Sequence, residues 1–296
     1  MYEGIRSPAV HMPKTLNDLI SASSRFPNAT FWAGGTFIMS RNNYYPTRKS
    51  KDIISLNEIP ELKRINRTDR YLEMGCMVTF EQMLTVGKQV LPGLLQMTLE
   101  QTATMIIRRQ MTLGGAICTP GVRLALSGTL AALQAEVEIK TSLGTKTETQ
   151  WIEIERIYNK QGVLQLKKND LVTRIRVGFE RETFSSFLIA GNPMINPEET
   201  VMLSFACSYN QSVISRFRMC LTFPTILFLI PLEIDLMMHG TTLPLTSQQI
   251  KRVVQSIMEE VQAVSTDAVL PIQLERAKRF TESTLHELNA QSLSER

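Results

Sequence analysis

Histidine, cysteine and clustered positive charge are all scarce in this sequence, and each shortage removes a class of function. Only three histidines (His11, His239, His286) occur in 296 residues. None lies near either of the glycine pairs described below, which disfavours a Ser-His-Asp or Cys-His hydrolytic arrangement. The four cysteines, at 76, 118, 207 and 220, show no C-x-x-C spacing and no ligand cluster. They read as reduced, mostly buried thiols of a cytosolic protein, with no iron–sulfur or zinc site belonging to this chain. A net charge of +4 is small for the length and no Lys/Arg run occurs, so nucleic-acid binding is not indicated. Long apolar runs are missing too. The most apolar stretch, Met219 to Met238, is interrupted by Pro224 and Pro231 and carries Glu233 and Asp235, a poor membrane span. The start, M-Y-E-G-I-R-S-P, has no basic segment followed by an apolar one, and no signal peptide is expected. Neither G-x-G-x-x-G nor G-x-x-x-x-G-K-[ST] is present, which removes the fingerprints of a Rossmann site and a P-loop.

What the sequence does contain is centred on Phe31 to Ile38, F-W-A-G-G-T-F-I. A predicted strand ending in Phe31 and Trp32 runs into Ala33-Gly34-Gly35-Thr36. Two adjacent residues without a Cβ let backbone N–H groups approach an anion closely. A plain tight turn uses the same pair more often. A second pair, in Thr112-Leu113-Gly114-Gly115-Ala116, repeats the pattern, and two such loops can close on one diphosphate from opposite sides. Arg108 and Arg109, just before it, suit phosphate contact, pairing with acids or plain solvation. Phe37 and Trp32 suit a planar ring or the core.

Composition and periodicity point to an α+β chain. With 43% hydrophobic and 20% charged residues it is ordinary globular material, long enough for two or three domains. Thr15 is placed to cap a helix carrying Leu16, Leu19 and Ile20. Strands are predicted at Thr30–Ala33, Asp52–Leu56, Tyr71–Gly75, Ala135–Thr141, Trp151–Ile157 and Leu171–Phe179. Thr79 caps a further helix, Pro92 opens one running to Met105, and Leu124–Leu133 forms another. Val201–Tyr209 and Val213–Leu221 read as paired strands joined by Asn210-Gln211-Ser212. A helix starts at Thr246-Ser247, a terminal helix covers Leu274–Leu288, and the last seven residues are expected to fray. The domains are expected to meet across a cleft, a common place for a cofactor.

The ordered set A-G-G-T (33–36), D-I-I-S-L-N-E-I-P-E-L (52–62), Y-L-E-M-G-C-M-V-T (71–79) and R-R-Q-M-T-L-G-G (108–115) resembles the FAD-binding medium subunit of molybdenum hydroxylases, the flavin subunits of xanthine dehydrogenase and carbon monoxide dehydrogenase. The resemblance extends over nearly the whole chain. It implies the vanillyl-alcohol-oxidase/PCMH-like FAD-binding fold: FAD-binding subdomains at 1–58 and 59–180, then a C-terminal CO-dehydrogenase-flavoprotein-like α+β domain at 184–296. By resemblance, Phe31, Trp32, Ala33, Gly34, Gly35, Thr36, Phe37 and Ile38 wrap the FAD diphosphate. Thr112, Leu113, Gly114, Gly115 and Ala116 form the second cofactor loop, Thr102 and Arg108 belong to the cofactor site, and Leu171 or Val172 lies near the ring. No catalytic residue and no metal are expected here. Electrons would arrive from the iron–sulfur cluster of a small partner subunit and leave through FAD to NAD+, with hydroxylation at the molybdenum cofactor of a large partner subunit. The sequence departs from the family pattern at Phe37, Ala116, Ala125 and Leu188, where polar or charged side chains are usual. The alternative expectation is a flavin-free structural subunit that keeps the fold and docks the same partners.

Overall fold

Local capping sets where the chain first turns helical. Thr15 Oγ1 accepts from the Asp18 amide at 3.1 Å, while the Asp18 carboxylate accepts from the Thr15 amide at 3.1 Å. This reciprocal pair satisfies two amides that a helix start leaves without partners. The computed structural model describes residues 8–41, 52–87, 89–143, 146–159, 162–179, 182–229, 231–265 and 269–295. In it, β1 (Val10–His11) leads to α1 (Leu16–Arg25), β2 (Thr30–Trp32), α2 (Thr36–Arg41) and β3 (Ile53–Ser55). β3 lies between β1 and β2, parallel to both. The first sheet is therefore a small parallel α/β unit.

A 3-10 turn at Pro60–Lys63 leads to the second sheet: β4 (Ile65–Arg67), β5 (Tyr71–Gly75), β6 (Glu136–Leu143), β7 (Lys146–Glu153) and β8 (Asp170–Gly178). Its order is β4-β5-β8-β6-β7, antiparallel throughout. Five helices are inserted between β5 and β6: α3 (Phe80–Thr85), α4 (Gly93–Thr102), α5 (Met105–Arg108), α6 (Leu113–Ile117) and α7 (Ala125–Ala132). Along β8, Leu171, Thr173, Ile175 and Val177 are buried, while Val172, Arg174 and Arg176 occupy the other face, the alternation a half-buried strand requires. The helix expected to run through Met105 stops at Thr102 instead. Arg108 is the reason, because its guanidinium donates to the Glu100 and Ala103 carbonyls at 3.1 and 2.9 Å and caps the last turn of α4.

The third sheet is antiparallel: β9 (Phe184–Ala190), β10 (Val201–Asn210), β11 (Val213–Phe223) and β12 (Ile226–Leu229), in the order β12-β11-β10-β9. Gln211 and Ser212 turn the β10–β11 hairpin at φ of 48° and 64°, the left-handed conformation a tight hairpin demands. α8 (Leu232–Met238), α9 (Ser247–Ser265) and α10 (Pro271–Ser294) follow. α10 continues well past Leu288, so the expected fraying is corrected. Ser292 is buried, Gln291 Nε2 donates to the Thr183 carbonyl at 3.1 Å, and Tyr209 donates to Glu295 at 2.8 Å. Tertiary partners hold an end that local sequence alone would leave loose.

The chain is α+β, as expected from the sequence, with sheets at 10–55, 65–178 and 184–229. One apolar core gathers Leu72, Met74, Phe80, Leu95, Leu126 and Ile175. A second gathers Phe205, Phe217, Met219, Ile257 and Leu285 between the third sheet and its helices. A buried chain of hydroxyls ties α4, α7 and β10 together: Thr98 to Thr129 at 2.7 Å and Thr129 to Ser204 at 2.9 Å. Thr98 in turn donates to the Leu94 carbonyl at 2.9 Å. Among the described residues no helix is long and apolar enough to cross a membrane, and no group of His, Cys, Asp and Glu is placed to hold a metal.

Thr129 bridges both neighbours, and an isosteric valine leaves two buried hydroxyls each short of one partner. Thr129→Val is expected to lower unfolding free energy by about 1–3 kcal/mol, measured by urea denaturation. No change would mean that the chain of hydroxyls contributes nothing to joining the helices to β10.

Candidate functional site

The loop of the first glycine pair packs against the chain just ahead of the second. A Cβ on Gly34 would stand 1.6 Å from the Gln110 carbonyl oxygen, so the loop after β2 touches the chain just ahead of α6 at a distance only glycine permits. Gly35 sits at φ +73°, and a Cβ there would meet the Trp32 ring at 2.6 Å. In the second pair, a Cβ on Gly114 would come within 2.7 Å of the Cys76 Cβ.

Their hydrogen bonding differs. At α6 the Leu113 amide donates to the Val78 carbonyl at 2.9 Å and the Gly114 amide to the Cys76 carbonyl at 2.7 Å. The Gly115 amide donates to Thr112 Oγ1 at 3.2 Å. In contrast, the amides of Gly34, Gly35, Thr36 and Phe37 donate in none of the loop hydrogen bonds among the described residues. The first loop offers four such amides, whereas in the second the amides from Leu113 to Ala116 are engaged and only that of Thr112 donates in none of these bonds among the described residues.

A cavity of about 670 Å³ opens beside both loops. Phe31, Ala33, Gly34, Gly35, Thr36, Phe37, Ile38, Thr112, Gly114, Gly115, Ala116 and Val172 line it, together with Leu171. Trp32, Thr102, Arg108 and Leu113 do not. Trp32 lines a smaller cavity, and Leu113 is fully buried. Thr102 donates to the Thr98 carbonyl at 2.5 Å. Of the roles open to Arg108, pairing is what the structure shows, with Glu81 at 3.2 Å.

Several lining groups were not singled out from sequence. Leu19, Leu56, Leu62, Leu124, Leu164 and Leu166 make the walls largely apolar. Arg41 and Asp170 are the charged residues among the described lining. The Arg41 guanidinium lies over the Phe37 ring, 5.0 Å from its centroid, a pairing that the four-residue helical spacing of 37 and 41 makes legible. Asp170 accepts from Thr141 Oγ1 at 2.6 Å and from the Lys167 amide at 2.8 Å. It reaches the cavity at the start of β8, for which sequence carries no local signal. The arrangement suits a ligand with flat apolar parts and an anionic group that meets the first loop.

Two thiols also line this cavity. Burial pushes Cys118 up to about 12, with Arg123 opposing the shift, and burial together with Cys118 raises Cys76 further. Both stay protonated at neutral pH and present neutral surface to the cavity.

Residues 4–179 match the family model described as the FAD binding domain in molybdopterin dehydrogenase. No curated protein matches the chain. Among solved structures, the chain is similar to quinoline 2-oxidoreductase from Pseudomonas putida 86, with a TM-score of 0.78 at 17% identity, covering 97% of this chain and 98% of that one. It is also similar to carbon monoxide dehydrogenase from Hydrogenophaga pseudoflava, with a TM-score of 0.77 at 16% identity, covering 95% and 96%. At such identities the likeness is one of fold.

Gly34→Ala is expected to destabilise the protein by about 3 kcal/mol or more, because the new methyl meets backbone that cannot yield. Gly178→Ala, with open space at its Cβ, should stay within about 0.5 kcal/mol. Equal effects in thermal melts would contradict the loop contact. In the native protein the buried Cys76 should resist a thiol reagent at about pH 8 and react only after unfolding, and mass-mapped native labelling there would contradict its burial.

Proposed function

The chain belongs to the family of FAD-binding domains in molybdopterin dehydrogenases, and we propose that it is the flavin subunit of a xanthine-dehydrogenase-like molybdenum hydroxylase. In this reading the bound FAD would supply electron-transfer chemistry, linking single electrons from the iron–sulfur cluster of a small partner subunit, with a proton from solvent, to a hydride for NAD+. The molybdenum cofactor and the hydroxylated substrate belong to a large partner subunit, and the assembly is cytoplasmic.

The observation that carries the proposal is the set of unengaged amides from Gly34 to Phe37, residues that line the apolar cavity. The residues present fit the cofactor. The amides of the first loop would hold a diphosphate, Thr36 and Thr112 would add hydroxyls, and Arg41 is a cation on the same lining. Leu164, Leu166, Leu171 and Val172 provide flat apolar surface and exclude water. Thr102 and Arg108 enter the proposal as residues that shape the region around the site, since both bond to α4 rather than line the cavity. We assign the site to a boundary between an FAD-binding subdomain at 1–58 and a second at 59–180, with a third domain at 184–296.

One observation favours a second reading, a flavin-free structural subunit. Phe37 and Ala116 bring apolar side chains to the cavity, and in the second loop the amides of both glycines are already engaged. Purified protein is expected to carry, or take up, one FAD per chain, with NADH bleaching its visible absorption. No uptake of added FAD would establish the structural reading. Uptake without reduction by NADH would retain the flavin and discard NAD+ as the acceptor.

A further inference from the structure

We propose that a second, smaller cavity on this chain is a binding site for a phosphate-bearing ligand. It has a volume of about 300 Å³ and shares Ala33, Gly34 and Thr112 with the larger cavity. The backbone at Gly34 thus borders both cavities.

The lining is unusual in its chemistry. Lys63, at the end of the 3-10 turn before β4, and Arg109, just after α5, both reach it, and no carboxylate lines it among the described residues. Neither cation makes an ion pair with a described residue. Lys63 donates to Asn57 Oδ1 at 2.9 Å, which occupies that amide's oxygen and leaves its NH₂ group to donate. Gln82 Oε1 accepts from the Thr79 amide at 2.9 Å, again leaving an NH₂ group. Thr79 Oγ1 accepts from the Gln82 amide at 3.2 Å, so its remaining hydrogen is a donor. Lys63, Asn57, Gln82 and Thr79 thus have donors to offer, and Lys63 and Arg109 carry full positive charge. Two like charges drawn to one cavity without a counter-charge favour an anion between them. A group rich in acceptors, with more than one negative charge, matches the donors best, and a phosphate monoester or inorganic phosphate has that character. The volume is at the low end for ligand cavities and fits a phosphate head rather than a whole dinucleotide.

This site does not depend on the flavin reading, since its cations lie outside the larger cavity. The test is calorimetric titration of the full chain with inorganic phosphate, and then with ribose 5-phosphate. One saturable phosphate site is expected. Arg109→Gln and Lys63→Gln should each weaken it by about tenfold or more, with melting temperatures in phosphate-free buffer unchanged. Tighter binding of ribose 5-phosphate would identify the ligand as the phosphorylated end of a larger molecule, and weaker binding would identify free phosphate. Absence of saturable binding at millimolar phosphate, or affinity unchanged in both variants, overturns the proposal. Loss of phosphate binding when FAD is added also overturns it, because the cavity would then serve the cofactor's own diphosphate.

Discussion

The structure depends on one backbone contact, the meeting of Gly34 with the Gln110 carbonyl. Any side chain at 34 would push the β2–α2 loop away from the segment that leads into α6. Without that approach the first sheet would lose its seat against the α5–α6 connection, and the larger cavity would lose one of its two sides. Gly35, turned at positive φ against Trp32, leads straight into α2, and the amides of Thr36 and Phe37 are free because a helix start leaves its first N–H groups without an intrahelical carbonyl.

Similar sequence patterns therefore do different work. The glycine at 114 allows α6 to pack on the chain just after β5, with Gly114 against Cys76 and its amide on the Cys76 carbonyl, while Gly115 lies against Thr112 Oγ1. Those at 34 and 35 leave donors unengaged. On the proposed reading, a diphosphate would meet several unengaged amides on the first loop and chiefly the Thr112 hydroxyl on the second. Arg41 fits this division, because the residue that departs from the family pattern, Phe37, carries a guanidinium over its ring on the cavity lining.

Much of this was legible in the sequence because it is local. Caps at Thr15 and Thr79 were readable from side chains three residues apart, and the β10–β11 hairpin from two β-rich runs around a short polar turn. The glycine pairs marked the cavity. What remained hidden was set by distant contacts. Arg108 ends α4 by bonding its last carbonyls, Gln291 and Glu295 hold the end of α10, and Cys76 and Asp170 arrive at the cavity only because β5 and β8 pair. The different roles of the two glycine loops also lay beyond sequence, since Val78 and Cys76 supply the carbonyls that engage one of them.

If the Gly34–Phe37 amides recognise a diphosphate, binding must follow the phosphates rather than the flavin ring. Fluorescence titration of the apoprotein with FAD and with riboflavin, which lacks phosphate, measures this directly. FAD should bind with riboflavin weaker by about 100-fold or more, the loss expected for two or more charge-assisted hydrogen bonds. Equal affinity for the two would contradict a diphosphate held by the first glycine loop.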